Sequence, residues 1–168
     1  MADIGRILLV EDDLHDVELT LAALAENHLA NEVVVVRDGE EALAYLHREG
    51  LFQMRAEGHP AVVLLDLKLP KVDGLQVLAQ IKGDSRLQSI PVVMLTSSRE
   101  EQDLVRSYEL GVNAYVVKPI GFQEFVDAVQ EVGLFWAVIN QPPPECLPPV
   151  SLKSSDGHSN YFTGVRLR

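Results

Sequence analysis

Short runs of aliphatic residues recur along the chain. Each run is continuous and does not alternate with polar residues, which is typical of strands that are covered on both faces of a parallel sheet. These runs predict five strands. They are RILLVE at 6–11, EVVVV at 32–36, AVVLLD at 61–66, IPVVMLT at 90–96 and AYVVK at 114–118.

Between the runs, apolar residues repeat at three and four positions, which is the spacing of an amphipathic helix. Five strands alternating with five such helices predict an α/β protein, a three-layer sandwich around a parallel sheet with right-handed crossovers. The helical sets are Leu14, Val17, Leu21 and Leu24; Ala42, Leu43 and Leu46; Leu75, Leu78 and Ile81; Leu104, Val105 and Tyr108; and Phe122, Phe125, Val126, Val129 and Val132.

Apolar residues continue beyond the pattern of the last helix. The surplus exceeds what one core-facing stripe accommodates, and it favours a subunit interface. The alternative is that the turn LFW packs back on the domain, because aromatic residues at helical spacing usually belong to a core. The residues concerned are Leu134, Phe135, Trp136, Val138 and Ile139.

The C-terminal segment 140–168 has a different composition. It holds five of the nine prolines, and its three basic residues outnumber its two acidic ones. Repeated proline excludes helix and central strand, so we expect an extended Pro-rich tail. One interpretation is disorder. The other is an arm that docks on another subunit through its apolar residues Val150, Leu152, Tyr161, Phe162 and Leu167.

Charge and cysteine content narrow the class of protein. The formal net charge of -11 disfavours a nucleic-acid surface, because binding to phosphate backbones depends on clustered Lys and Arg. The single cysteine, Cys146, excludes an internal disulfide framework and fits a reducing compartment. The N-terminus has no long apolar segment, so we expect a cytoplasmic protein without signal peptide or membrane span.

Carboxylates follow two of the predicted strands. The first strand ends in Glu11, Asp12 and Asp13, and the third ends in Asp66. If these strands are neighbours, their carboxylates meet at one edge of the sheet and repel by kilocalories at an effective dielectric of about 20. A hard divalent cation with oxygen ligands relieves that repulsion, and Mg²⁺ points to phosphoryl chemistry. Taken alone, the EDD triplet also suits an N-cap of the first helix.

A hydroxyl and an amine stand at the ends of the fourth and fifth runs. The fourth strand ends in Thr96 and the fifth in Lys118. Either residue alone is common at a strand end. Together with the carboxylates they indicate a site where one carboxylate receives a phosphoryl group while metal, amine and hydroxyl neutralise its oxygens. Asp66 is the candidate nucleophile.

Four motifs, ILLVEDD, LLDLKLPKVDG, PVVMLTSS and AYVVKP, in this order and spacing resemble the receiver domain of two-component response regulators. The resemblance covers residues 5–139. It implies a flavodoxin-like (βα)5 fold with strand order 2-1-3-4-5, followed by the tail at 140–168. The segments NEVVVVRDGEEALAYLHREG, SYELGVNAYVVKP and EFVDAVQEVGLFW further resemble single-domain regulators that pair with phytochrome-type histidine kinases.

The resemblance also implies the chemistry of the site. Asp66 would be the phosphoacceptor, with Glu11 and Asp12 as the acidic pair around Mg²⁺ or Mn²⁺. The backbone carbonyl of Lys68 would complete the metal ligands. Lys68 also places a cationic side chain where many receivers carry Asn or Met, a position that influences the lifetime of the acyl phosphate.

The same resemblance implies a switch. Thr96 and Lys118 match the phosphate-sensing hydroxyl and amine, and Tyr115 matches the aromatic switch residue of the fifth strand. The family has a cis peptide at the position of Lys118–Pro119. Ser98 stands where other receivers have larger groups, and that position also influences acyl-phosphate lifetime.

These features predict a phosphoacceptor signalling protein that is not an enzyme beyond its own phosphotransfer and autodephosphorylation. We expect a sensor histidine kinase as phosphodonor and no output domain after residue 139. Phosphorylation would switch the surface of helix 4, strand 5 and helix 5 for homodimerisation or partner binding. The alternatives are a phosphorylation-independent scaffold and a haloacid dehalogenase-type hydrolase, which needs an acid where Lys68 stands.

Overall fold

Five parallel strands lie side by side at the centre of the molecule. The structure is a computed structural model that describes residues 5–118 and 121–141. The strands are β1 (Ile7–Val10), β2 (Val33–Val36), β3 (Val62–Leu65), β4 (Val92–Thr96) and β5 (Ala114–Val117). Their order is β2-β1-β3-β4-β5, and every neighbouring pair is parallel. The predicted flavodoxin-like sheet is confirmed.

Four helices connect the strands, a fifth follows β5, and together they cover both faces of the sheet. They are α1 (Leu14–Ala25), α2 (Gly39–His47), α3 (Gly74–Gly83), α4 (Glu101–Glu109) and α5 (Phe122–Leu134), which continues as a π-helical turn at Phe135–Ile139. Helices α1 and α5 pack on one face, and α2 and α3 pack on the other. This arrangement is the predicted three-layer (βα)5 sandwich.

The three central strands form the middle of the hydrophobic core. Every residue of β1, β3 and β4 is buried, whereas the edge strands β2 and β5 are mostly half-buried. Full burial of each Val or Leu side chain contributes roughly 1.5–3 kcal/mol. The continuous aliphatic runs are therefore explained by strands that face a helix layer on each side.

Aspartates in the loops after β1, β2 and β3 begin the helices that follow. Asp13, Asp38 and Asp73 are the N-caps of α1, α2 and α3, and each carboxylate accepts at least one hydrogen bond from a backbone N–H of the first turn. Such a cap stabilises a helix by about 1 kcal/mol. Asp13, the third acid of the EDD triplet, thus caps α1, as the N-cap interpretation expected. Glu11 and Asp12 do not cap this helix.

The strand register brings the ends of β1 and β3 to the same level. Val10 of β1 pairs with Leu65 of β3. The residues that follow them, Glu11 and Asp66, therefore leave the sheet side by side. The backbone N–H of Asp66 also donates to the carbonyl of Val10 at 3.0 Å, which holds the two strand ends together.

Helix α4 forms where its spacing predicts it, but its apolar residues face solvent. Leu104, Val105 and Tyr108 are 39%, 49% and 55% exposed, and Ser107 is the buried residue of the helix. An amphipathic repeat identifies a helix and one apolar side. It does not say whether another element lies over that side.

Helix α5 and its π-helical turn divide their apolar residues between core and solvent. The buried ones are Phe125, Val126, Val129 and Ala137, and the exposed ones are Leu134, Phe135, Val138 and Ile139. Trp136 packs against the core cluster beneath α1 and α5. Its ring meets that of Phe135 edge-on, with centroids 5.0 Å apart. Trp136 thus packs back on the domain, as one interpretation of the LFW segment expects, whereas the subunit interface stays a prediction for the exposed residues.

Some predictions concern residues outside the described part of the chain. These are the tail beyond Gln141, including Cys146, and the Lys118–Pro119 peptide bond. The domain limits 5–139 and 140–168 accordingly stay predictions. Among the helices of residues 5–118 and 121–141, none is both long and apolar enough to cross a bilayer.

Candidate functional site

Three carboxylates meet at the carboxyl edge of the sheet, as the sequence predicts. Glu11, Asp12 and Asp66 each offer an oxygen that lies within 4.8 Å of the other two. Glu11 is buried, and Asp12 and Asp66 are half-buried. The set contains only carboxylate oxygens, which are the ligands that Mg²⁺ and Mn²⁺ prefer. The donor chemistry therefore fits a hard divalent cation.

The side chain of Asp66 is held at one of its two oxygens. The backbone N–H of Leu67 donates to Oδ1 at 2.8 Å. Oδ2 lies 3.8 Å from the Nζ atom of Lys118, which is beyond hydrogen-bond distance. The carboxylate is thus oriented by the backbone, and one oxygen retains capacity for another partner.

The amine of Lys118 is the counter-charge of this acidic edge. Its Nζ atom lies 2.6 Å from Oε2 of Glu11 and 2.7 Å from Oδ2 of Asp16. Burial by itself would lower the pKa of Lys118, but the hydrogen bonds to Asp16 and Glu11 outweigh burial and raise that pKa above its usual value. The amine is therefore shared between the carboxylates of Glu11 and Asp16, which favour its charged form.

Glu11 has the most perturbed carboxyl group of the site. Burial raises the pKa of Glu11 to about 7, the hydrogen bond from Lys118 opposes this increase, and the charge of Asp66 adds to it. Without a cation, a proton is therefore retained in this cluster close to neutral pH. A divalent ion would displace that proton and allow all three carboxylates to be charged.

Ser98 connects the end of β4 with β5 and α4. Its backbone N–H donates to Oγ1 of the buried Thr96 at 3.3 Å, and its hydroxyl donates to Oδ2 of Asp103 at 2.5 Å. The hydroxyl of Tyr115 donates to the carbonyl of Ser98 at 3.1 Å. Burial raises the pKa of Tyr115. The predicted switch residues Thr96 and Tyr115 thus meet through one residue of the β4–α4 loop.

The strand ends on this side are also joined directly. The backbone N–H of Lys118 donates to the carbonyl of Thr96 at 2.7 Å.

Lys68, which follows β3, has an exposed side chain. The role of its backbone carbonyl as a metal ligand stays a prediction.

Two residues of the site were not among the predicted ones. Asp16 lies in the first turn of α1 and binds Lys118, and the guanidinium of Arg37 donates to the carbonyl of Asp12 at 2.6 Å. The sequence places Asp16 next to a helix start, where an acid is explained by the helix dipole alone. Arg37 follows β2, and its proximity to Asp12 requires the pairing of β2 with β1.

Comparison with known proteins identifies a family to which the sequence is similar. The family model described as response regulator receiver domain matches residues 7–130. The response regulator Rcp1 of Synechocystis sp. is 42% identical over 130 residues, which are 77% of this chain and 87% of that protein. The Mn²⁺-bound form of response regulator Rcp1 has a TM-score of 0.76 at 40% identity, and the match covers 83% of this chain and 99% of that one.

Two further solved structures are similar over most of the chain. The phosphorylated cyanobacterial phytochrome response regulator RcpA has a TM-score of 0.78 at 43% identity, and the match covers 83% of this chain and 99% of that one. The bacteriophytochrome response regulator AtBRR has a TM-score of 0.66 at 65% identity, with coverage of 82% and 99%.

Proposed function

Since the chain belongs to the response regulator receiver domain family, we propose that Asp66 accepts a phosphoryl group from a phosphohistidine of a sensor histidine kinase. The observation that carries this proposal is the convergence of Glu11, Asp12 and Asp66 within 4.8 Å, with the amine of Lys118 beside them. A lone carboxylate would be a poor phosphoryl acceptor, because the incoming group brings further negative charge. Here a cation site and an ammonium compensate that charge.

Phosphotransfer uses the oxygen of Asp66 that the backbone leaves available. Oδ2 attacks phosphorus, the P–N bond of the phosphohistidine breaks as the P–O bond forms, and the imidazole leaves with the electron pair. The Leu67 N–H holds Oδ1 during this step. Lys118 needs to move only a short distance from its position 3.8 Å away to contact the new phosphoryl oxygens.

Glu11, Asp12, Asp66 and the backbone carbonyl of Lys68 would hold Mg²⁺ or Mn²⁺. When bound, the ion neutralises and orients the phosphoryl oxygens. Asp12 and Asp66 are only partly buried, so both remain in contact with solvent. The chain's own contribution is to fix the carboxylates through the paired ends of β1 and β3.

Phosphorylation reaches the surface through Thr96 and Tyr115. The acyl phosphate adds roughly -1.5 to -2 charge and new acceptor oxygens, which draw the Thr96 hydroxyl. The Thr96 hydroxyl accepts a hydrogen bond from the backbone N–H of Ser98. Ser98 in turn is hydrogen-bonded to Tyr115 and Asp103. A shift of Thr96 is thereby passed on to β5 and α4.

The output is a change in the surface of α4, β5 and α5, used for homodimerisation or partner binding. Support comes from the apolar side chains that α4 and the end of α5 leave exposed. They are Leu104, Val105, Tyr108, Leu134, Phe135, Val138 and Ile139.

The phosphodonor we propose is a phytochrome-type histidine kinase. Support comes from the similarity to RcpA and AtBRR, a phytochrome and a bacteriophytochrome response regulator. The net charge of -11 disfavours a nucleic-acid partner. In this function the protein is a cytoplasmic signalling phosphoacceptor, and its only reactions are its own phosphotransfer and dephosphorylation.

Phosphorylation by acetyl phosphate with Mg²⁺ tests the acceptor. We expect intact-protein mass spectrometry to show one added phosphoryl group on the wild type and none on Asp66→Asn. Asp127→Asn, an exposed change on α5, should be labelled like the wild type. Full labelling of Asp66→Asn at another residue would refute the assignment.

Light scattering with and without phosphodonor tests the output. We expect the molar mass of the wild type to change on phosphorylation and that of Asp66→Asn to stay constant. A truncation after Ile139 separates the arm from the domain surface, since a change confined to the full chain would implicate the arm. A mass that is insensitive to phosphorylation in every form would favour the scaffold alternative.

A further inference from the structure

Asp16 contacts the amine that phosphorylated Asp66 would need. The Nζ atom of Lys118 is 2.7 Å from Oδ2 of Asp16 but 3.8 Å from Oδ2 of Asp66. The first distance is that of a charge-assisted hydrogen bond, and the second is too long for a hydrogen bond. The structure therefore shows Lys118 hydrogen-bonded to Asp16 of α1 and to Glu11, and at ion-pair distance from the proposed acceptor without a hydrogen bond to it.

Asp16 is not equivalent to Glu11, the other partner of this amine. Glu11 belongs to the carboxylate cluster that could hold a metal ion, and Asp16 does not. A cation that takes an oxygen of Glu11 weakens the bond of Glu11 to Lys118. The bond to Asp16 remains, because Asp16 lies outside the coordination cluster.

Asp16 is also well fixed. Its backbone N–H donates to Oδ1 of Asp13 at 3.1 Å, and its carbonyl accepts from the hydroxyl of Thr20 at 2.7 Å. Its side chain is 30% exposed, against 9% for Lys118. A carboxylate on a hydrogen-bonded helix turn therefore contacts a nearly buried amine from the solvent side.

On the basis of the proposed role of Asp66, we infer that Asp16 is a positioning residue that holds Lys118 away from the acceptor and competes with the phosphoryl group for it. Contact between Lys118 and the phosphoryl oxygens requires the amine to give up its bond to Asp16. The bond to Asp16 thus favours the unphosphorylated state. Asp16 thereby shortens the lifetime of the acyl phosphate. It also weakens the binding of small anions, such as beryllofluoride, that mimic the phosphoryl group.

Neutralising Asp16 in the full-length protein tests this competition. Asp16→Asn keeps the shape of the side chain and removes its charge. We expect it to bind beryllofluoride with Mg²⁺ about fivefold more tightly, and to lose the acyl phosphate about fivefold more slowly, than the wild type. Amide NMR spectra report beryllofluoride binding, and mass spectrometry reports phosphate loss.

Two further variants separate positioning from general effects of charge and folding. Glu18→Gln removes a charge from the exposed side of the same helix, where the described residues show no hydrogen bond or ion pair to Glu18, and should behave like the wild type. Asp16→Glu restores the charge and should return both values towards the wild type. The ¹⁵Nζ resonance of Lys118 should shift in Asp16→Asn and stay in place in Glu18→Gln.

The outcomes separate this inference from the proposed function. If the wild type is labelled at Asp66 but Asp16→Asn shows unchanged mimic affinity and phosphate lifetime, the positioning role is overturned and the phosphoacceptor stands. Equal effects in Glu18→Gln would likewise overturn it. Absence of wild-type labelling would overturn both.

Discussion

The Nζ atom of Lys118 lies 2.6 Å from Oε2 of Glu11, and the side chains of the pair are only 9% and 4% exposed. Taking two charges out of water is costly, and their attraction compensates only when geometry is good and further hydrogen bonds are made. Asp16 and the backbone N–H of Asp13 supply those bonds. The pair therefore joins β1 to the end of β5 and makes the site sensitive to protons.

The first expectation concerns pH. The pKa of Glu11 rises from 4.5 to about 7 on folding, chiefly because of burial, so the folded protein binds this proton more tightly than the unfolded chain. The proton on Glu11 contributes to the free energy of unfolding in full below pH 4.5, and this contribution is lost as the pH rises through about 7. We expect the metal-free protein to lose up to about 1.4 kcal/mol per pH unit from this group.

Urea denaturation in the presence of a chelator, at several pH values between 4.5 and 7, measures this slope. Glu11→Gln cannot titrate at this position, and its curve should be flatter than that of the wild type over the same range. Identical slopes for the two proteins would contradict the assignment to Glu11.

The second expectation concerns metal removal. A cation that binds only the folded site stabilises it by about 2.7 kcal/mol at a concentration of one hundred times its dissociation constant. We therefore expect Mg²⁺ to raise the denaturation midpoint at pH 8 and a chelator to reverse the effect. Asp12→Asn should abolish most of this gain, and Asp127→Asn should retain it, as thermal melts with and without Mg²⁺ will show.

The third expectation concerns the hydrogen bond of Tyr115. Tyr115→Phe keeps the ring and leaves the carbonyl of Ser98 without this donor. We expect a loss of about 1 kcal/mol in the free energy of unfolding, which is typical of a single hydrogen bond. Tyr108→Phe, on the exposed side of α4, is the matched control and should change stability little. Equal losses in urea titrations of the two variants would argue against a structural role for the Tyr115 hydroxyl.

The fourth expectation concerns the close packing of α3 behind Asp66. A Cβ at Gly74 would overlap the carbonyl oxygen of Asp66 and lie 2.7 Å from Cα of Leu67. We expect Gly74→Ala to cost about 2 kcal/mol or more and to slow phosphorylation, because the backbone of the acceptor must shift.

Gly83, at the other end of the same helix, is the control. A Cβ there meets nothing within 4 Å, so Gly83→Ala should stabilise the protein by about 0.4–1 kcal/mol. Chemical denaturation of both variants, together with acetyl phosphate labelling, checks the contrast. A Gly74→Ala variant as stable and as rapidly labelled as the wild type would contradict it.

Much of the fold was predictable from local patterns. The continuous aliphatic runs form the strands, because a strand buried on both faces needs apolar residues at every position. The apolar repeats at three and four positions form the helices, because a helix buried on one side needs apolar residues only there. The meeting of Glu11 with Asp66 was also predictable, since neighbouring parallel strands end at one edge.

Other features were decided only in three dimensions. Asp16 lies 102 residues from Lys118, and Arg37 lies 25 residues from Asp12. In the sequence, each of these four charged residues is explained by its position in a helix turn or at a strand end. Their second role depends on which side chains the tertiary structure brings within hydrogen-bond distance.

The sequence by itself determined the five strands, the five α-helices and the meeting of the carboxylates at one edge of the sheet, because those depend on local spacing and on the shared direction of parallel strands. Only the tertiary structure decided that the apolar side of α4 faces solvent, that Trp136 packs inward beside an exposed Phe135, and that Lys118 is bound by Asp16. The physical reason is that burial and ion pairing are properties of neighbours in space. A periodic pattern along a chain specifies the side of a helix, but the elements around that helix determine what covers it.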